Sequence, residues 1–268
     1  GRRLLGYQRF RGEWHTPFEI RKLRAGQVWH EQFGWLPANH VARYEAGERF
    51  AGGRWMSAAD EARGRSQIAD GWRVETEHYD ITTNHSLEAG VALGVELERL
   101  HLVWRQLFAG YYSNAGQLTS LFEGRATQRS SGPRHRVVYF RDSDDYRAAL
   151  RGVLPPDVAT TGFYWGDRRT AFFFATDDQD HSTLYHEATH QLFSESRPTV
   201  REIGSASNFW LVEGIACYME SLDREEGFDT VGGADAVRFR DARFRLFKSE
   251  FYVPLAQLTA AGMRDFQQ

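Results

Sequence analysis

The stretch "HSTLYHEATHQLF", residues 181–193, carries two histidines four positions apart with a glutamate directly after the first. On an α-helix each residue turns about 100°, so His186 and His190 fall on one face, about 40° apart. Both imidazoles then reach one ion. Two neutral ring nitrogens at roughly 2.0–2.1 Å fill two corners of a tetrahedral zinc site. Glu187 lies beside that face, where a carboxylate takes a proton from water without ligating the metal. Leu184, Ala188 and Leu192 point the other way and are expected to bury the helix against a core.

A His-Glu-x-x-His string alone is weak, because a chain with ten histidines spells one in roughly a few per cent of shuffles. The competing reading is an exposed polar helix face. A second stretch, "WLVEGIACYME" at 210–220, adds weight: Glu213 stands 23 positions after His190 and offers a third ligand from a separate helix. Glu213, Cys217 and Glu220 share one face of that helix. A carboxylate in so apolar a sequence is costly unless it meets a metal, a hydrogen-bond donor or a cation, and Gly214 leaves room for close backbone approach. Glu220 is read as accepting the other ring N–H of a ligand histidine, the alternative being a surface carboxylate. Cys217 is read as a small buried residue, with metal coordination as its alternative.

Taken together, "HEATH" and "WLVEGIACYME" resemble the gluzincin metallopeptidases, above all the aminopeptidase-N-like branch and the related bacterial peptidase-MA-like domains of unassigned substrate. Their pattern is His-Glu-x-x-His followed by Trp-x-x-Glu-Gly-x-Ala-x-Tyr. The likeness covers roughly residues 76–250 in order of elements, and these two motifs are its specific part. The resemblance implies one Zn2+ per chain on His186, His190 and Glu213, with Glu187 as general base and a peptide or protein as substrate. It also implies a thermolysin-like fold in which an edge strand before the motif helix pairs with the substrate; here that strand is residues 169–176, with Phe173, Phe174 and Ala175 at its centre. Two departures matter. Cys217 stands where thermolysin-type members place an orienting aspartate, and no Gly-x-Met-Glu-Asn string marks an aminopeptidase, so an endopeptidase is expected. The alternative from a different class is a non-catalytic, zinc-containing module that binds a protein or polymer.

Around these motifs, strands interleave with helices and a run of helices follows, which predicts an α+β fold: a zincin-like domain over 73–268 behind a small β-rich module over 1–72. In that module "RFRGEWHTPFEIR" at 9–21 and "RFAGGRWMSAADEAR" at 49–63 look like copies about 40 residues apart. Tryptophans of the module are read as its core, with a ligand-binding surface as the alternative. Further along, "WRVETEHYDITTN" reads as a strand, and Asn84 or Ser86 is placed to cap a long helix from Leu87 to Tyr112. "TGFYWGDRRTAFFFAT" reads as two strands joined across Gly166 and Asp167. The acidic "DDQD" at 177–180 is read as a cap for the motif helix.

Composition excludes other classes. The formal net charge of −3 gives no basic field for nucleic acid, and no apolar run approaches the roughly 18 residues of a membrane span. Cys217, the single cysteine, permits no internal disulfide and so assigns no redox compartment. A chain opening on Gly1 is read as processed or trimmed, which leaves room for a removed export signal; the location stays unknown, with secreted or cell-envelope slightly favoured over cytoplasmic. Oligomeric state is not legible.

Overall fold

The computed structural model describes residues 6–123, 132–154, 160–176, 181–196, 204–233, 236–249 and 251–266. The "DDQD" stretch at 177–180 lies outside them. Helices and strands are mixed along the chain, and the chain divides into two compact units, residues 1–159 with 172–176, and residues 160–171 with 177–268. Compactness therefore divides the chain elsewhere than the change of sequence pattern at residue 72.

The first unit opens with three hairpin-and-helix repeats, not two. They are β1 (Gln8–Phe10), β2 (Glu13–His15) and α1 (Pro17–Arg24); β3 (Gln27–His30), β4 (Gly34–Pro37) and α2 (Val41–Glu45); and β5 (Glu48–Ala51), β6 (Arg54–Ser57) and α3 (Ala58–Gly64). In each hairpin a tryptophan of the second strand faces an equivalent position of the first: Trp14 opposite Arg9, Trp35 opposite Trp29, Trp55 opposite Phe50. The middle copy was hidden because its residues differ; only the spacing of its tryptophan betrays it. Thr16 and Glu19 form a reciprocal cap at the start of α1, and Ser57 caps α3. Gly26 and Gly47, at φ 75° and 86°, turn the chain out of α1 and α2 into the next hairpin.

Behind the repeats, β7 (Trp72–Glu75) pairs antiparallel with β8 (Tyr79–Thr83), which pairs in parallel with β9 (His135–Phe140). Helix α4 (Leu87–Leu107) lies across β7 and β8, capped by Ser86, whose Oγ accepts from the Ala89 N–H at 3.0 Å. Asn84 serves elsewhere, donating to Ser66 O and Asp145 and accepting from the Arg141 N–H. Two glycines let α4 come close: a Cβ at Gly90 would stand 2.9 Å from Thr83 Cγ2, and one at Gly94 2.9 Å from Thr76 Cγ2. Tyr79, Ile81, Val91, Leu97, Leu100 and Val137 are sealed between helix and sheet. The long helix predicted to Tyr112 breaks at Phe108, and α5 (Ala109–Tyr112) and α6 (Ala115–Phe122) follow. Lys22 to Glu75 at 2.6 Å and Arg49 to Glu88 at 2.7 Å tie the repeats to β7 and α4. Helix α7 (Ser143–Ala149), capped by Asp142, also belongs to this unit.

The second unit contains β10 (Gly162–Trp165), the motif helix α8 (Ser182–Ser196), α9 (Phe209–Met219), a small hairpin of β12 (Asp223–Glu225) and β13 (Phe228–Thr230), and α10 (Val237–Lys248), α11 (Leu255–Ala260) and α12 (Met263–Phe266). Strand β11 (Thr170–Phe174) carries the chain from one unit to the other, and the sheet order is β10-β11-β9-β8-β7. Strand β11 thus has a neighbour on each side, and the Ala175 N–H donates to Phe140 O at 2.9 Å. The expected edge position of Phe173, Phe174 and Ala175 is corrected by this order: β10 ends the sheet. The sequence could not rank the two strands, because an apolar run such as "AFFF" marks burial on both faces and an inner place, while hairpin connectivity alone allows either strand to lie outside. No helix among the described residues is long and apolar enough to cross a membrane.

Candidate metal centre

Helix α8 buries Leu184, Ala188 and Leu192 at 7%, 0% and 1% exposure, the face that helical spacing assigned to the core. His186, Glu187 and His190 are left on the other side. Helix α9 packs against it; Ala216 and Met219 of α9 are fully buried, while Leu211 stays 48% exposed. That packing brings Glu213 onto the histidines. Its Oε2 lies 3.3 Å from His186 Nε2 and its Oε1 3.5 Å from His190 Nε2, and the two Nε2 atoms are 3.0 Å apart.

Those three separations test the fit to a metal. Tetrahedral zinc with bonds of about 2.0–2.1 Å has edges of about 3.3 Å, and the two Nε2 atoms 3.0 Å apart, with one oxygen of Glu213 at 3.3 Å from His186 and the other at 3.5 Å from His190, are spaced on that scale. Two imidazole nitrogens facing each other at 3.0 Å repel as lone pairs unless a proton or a cation lies between them. The donor set, two imidazoles and one carboxylate, suits zinc over the hard cations that prefer oxygen alone.

Glu220, one turn beyond Cys217, reaches His186 from behind: its Oε1 is 2.6 Å from His186 Nδ1. This fixes the ring so that Nε2 faces His190 and Glu213. Glu220 is held in turn by Arg238 of α10, whose Nε donates to its Oε2 at 2.7 Å. Thus the orienting place left open by Cys217 is filled three residues later. Cys217, half-buried, also neighbours His186, and its thiol, Glu220 and His186 form an overlapping group of potential ligands. Arg238 had no sequence signal, since one arginine in a charged helix 18 residues beyond Glu220 looks like any other.

Glu187, next to His186 in the chain, is held by β10, where its Oε2 accepts the Tyr164 N–H at 2.8 Å. Strand β10 is pinned to α8 a second time by the Tyr164 hydroxyl, which donates to Glu195 at 3.3 Å, and Glu195 also accepts from Gln191 at 3.1 Å. A backbone amide leaves no mark on sequence, so this contact was not foreseeable residue by residue.

Electrostatics follow from this crowding. Burial raises the Glu187 carboxyl to about 7, with Glu213 and Glu220 adding to the shift against the Tyr164 amide and His186. Burial works against charge on His186, yet Cys217, Glu213, Glu220 and Glu187 outweigh it and lift that imidazole to about 11. Burial and the adjacent His186 hold His190 down at about 4, despite Glu213. Burial opposes ionisation of Glu213 and Glu220, but their histidine partners, with Arg238 on Glu220, keep both below the ordinary carboxylate range.

No protein family, curated protein or solved structure matches this chain.

Proposed function

We propose that this protein is a zinc-dependent peptidase, with one zinc on His186, His190 and Glu213 and with Glu187 as its general base. The observation that carries the reading is the convergence of two Nε2 atoms and a carboxylate within 3.0–3.5 Å, with the half-buried carboxylate of Glu187 next in the chain to His186. A closed structural site takes four protein ligands, and the triangle supplies three.

When bound, zinc supplies a Lewis acid that polarises a carbonyl and makes water acidic enough to attack it. Glu187 accepts the proton that the water gives up and delivers it to the departing amine. The Tyr164 amide holds the Glu187 carboxylate through Oε2, and Oε1 is the oxygen that would take the proton. Glu220 keeps the His186 ring from rotating, with Arg238 behind it. Strand β10, at the end of the sheet, is the place where an extended peptide adds by main-chain hydrogen bonds; this argues for an endopeptidase that grips a chain in its middle.

The test is cleavage of a quenched-fluorescent peptide library by the zinc-loaded protein, abolished by chelator and restored by zinc. Glu187→Gln is expected to keep its zinc and lose turnover. A protein that binds zinc but cleaves nothing would favour the binding-module alternative.

A further inference from the structure

A second group of metal-binding side chains lies entirely within the first unit and plays no part in the reading above. Glu98 and His101 stand three apart on α4 and therefore on one face, and His78 reaches them from the turn between β7 and β8. Glu98 Oε2 lies 2.7 Å from His78 Nδ1, while its Oε1 accepts from the Thr76 hydroxyl and the His78 N–H, both at 2.6 Å. His101, only 7% exposed, stacks on His78 with ring centroids 3.7 Å apart and planes at 26°. One ligand atom from each of His78, Glu98 and His101 lies within 4.8 Å of the other two. His135 adds a third imidazole, its centroid 6.2 Å from that of His101.

We propose that His78, Glu98 and His101 form a second binding site for a divalent transition metal of the zinc type, independent of the α8–α9 site. Two imidazoles and a carboxylate form a donor set that favours zinc over calcium or magnesium. Thr76 and the His78 amide hold the carboxylate in place, the outer support that metal-ligating carboxylates ordinarily have. Tyr79 and Trp104, with centroids 6.3 and 6.4 Å from that of His101, give the site an aromatic wall.

Closure on the ion requires His78 to turn. Stacked rings present their nitrogens side by side, not toward a common point. His78, with 28% of its side chain exposed, has the freedom to rotate against the fixed His101. The cation takes the place of the hydrogen between His78 Nδ1 and Glu98 Oε2, and the neutral ring then carries its hydrogen on Nε2. This reorganisation makes the site weaker than the preassembled triangle of the second unit.

The test is metal stoichiometry of the full chain, stripped with chelator, dialysed against rising zinc and read by elemental analysis. Two zinc ions per chain are expected, the second at higher free zinc. His78→Asn should lose that second ion, while a His186→Ala/His190→Ala double variant should keep it and lose the first. Because His101 is buried, His78 carries the mutational arm. A melting-temperature rise on adding zinc to the double variant, absent once His78→Asn is added, supplies a readout that does not depend on activity. A single ion that His78→Asn leaves untouched would overturn the second site and spare the peptidase reading. A single ion removed only by His78→Asn would do the reverse.

Discussion

Each unit of this protein holds a histidine whose Nδ1 rests against a glutamate: His186 with Glu220 at 2.6 Å, and His78 with Glu98 at 2.7 Å. What differs is the arrangement on the other side of the ring. In the second unit, the four-residue spacing on α8 sets His186 and His190 edge to face, with centroids 4.7 Å apart and planes at 77°, so both Nε2 atoms point at one place. In the first unit, the second histidine comes from another element and lies flat on the first, at 3.7 Å and 26°. Similar residue types thus give one set assembled in advance and one that must rearrange. Helical spacing, more than composition, makes the difference.

The sharpest test of the second unit is Glu187→Gln, which changes the carboxylate next to His186 and leaves the first unit untouched. Peptide turnover is expected to fall by about 10²–10⁴-fold, the usual contribution of a positioned acid or base, while zinc content by elemental analysis stays unchanged. A variant that cleaves at the wild-type rate would remove Glu187 from the mechanism.

Next in size is the pair Glu220→Gln and Glu98→Gln. Loss of the carboxylate behind a ligand histidine typically costs about 10–100-fold in metal affinity, so competition with a fluorescent chelator should show that loss for Glu220→Gln. Glu98→Gln should leave the tight zinc alone and weaken only binding at high free zinc. Equal effects of the two substitutions on the tight ion would erase the distinction drawn between the regions.

The smallest expected effect is on stability. Gly94→Val would force a Cβ to within 2.9 Å of Thr76 Cγ2 and 3.2 Å of Ile81 Cδ1, overpacking α4 by about 1–3 kcal/mol. Denaturant unfolding should register that cost, while the tight zinc of the second unit is retained. Loss of the tight ion at unchanged stability would contradict the placement of this glycine in the core of the first unit alone.

Much of the candidate centre was legible because helix geometry converts spacing into direction. His186, His190 and the buried face at Leu184, Ala188 and Leu192 follow from a 100° turn per residue, and Glu220 followed from its place on the Glu213 face. Arg238 and the Tyr164 amide were not legible, since both depend on how separate elements come together. The same limit explains the fold. Strands and helices were read largely where they stand, and the cap at Ser86 is one of the two expected. Yet the order β10-β11-β9-β8-β7, which moves the edge away from Phe173 and Phe174, is a property of pairing over distance. The middle repeat escaped because hairpin geometry tolerates almost any residue outside the tryptophan position and the turn.

The central claim is that Glu213 completes a preassembled zinc site with His186 and His190. Its most direct test is zinc affinity of the wild-type chain beside Glu213→Ala, measured by chelator competition on protein purified without a metal-affinity column. The account predicts close to one tightly held zinc in the wild type and a much weaker one in the variant, with the fold intact by circular dichroism. Equal affinity in the two proteins, or no tight zinc in either, would contradict it.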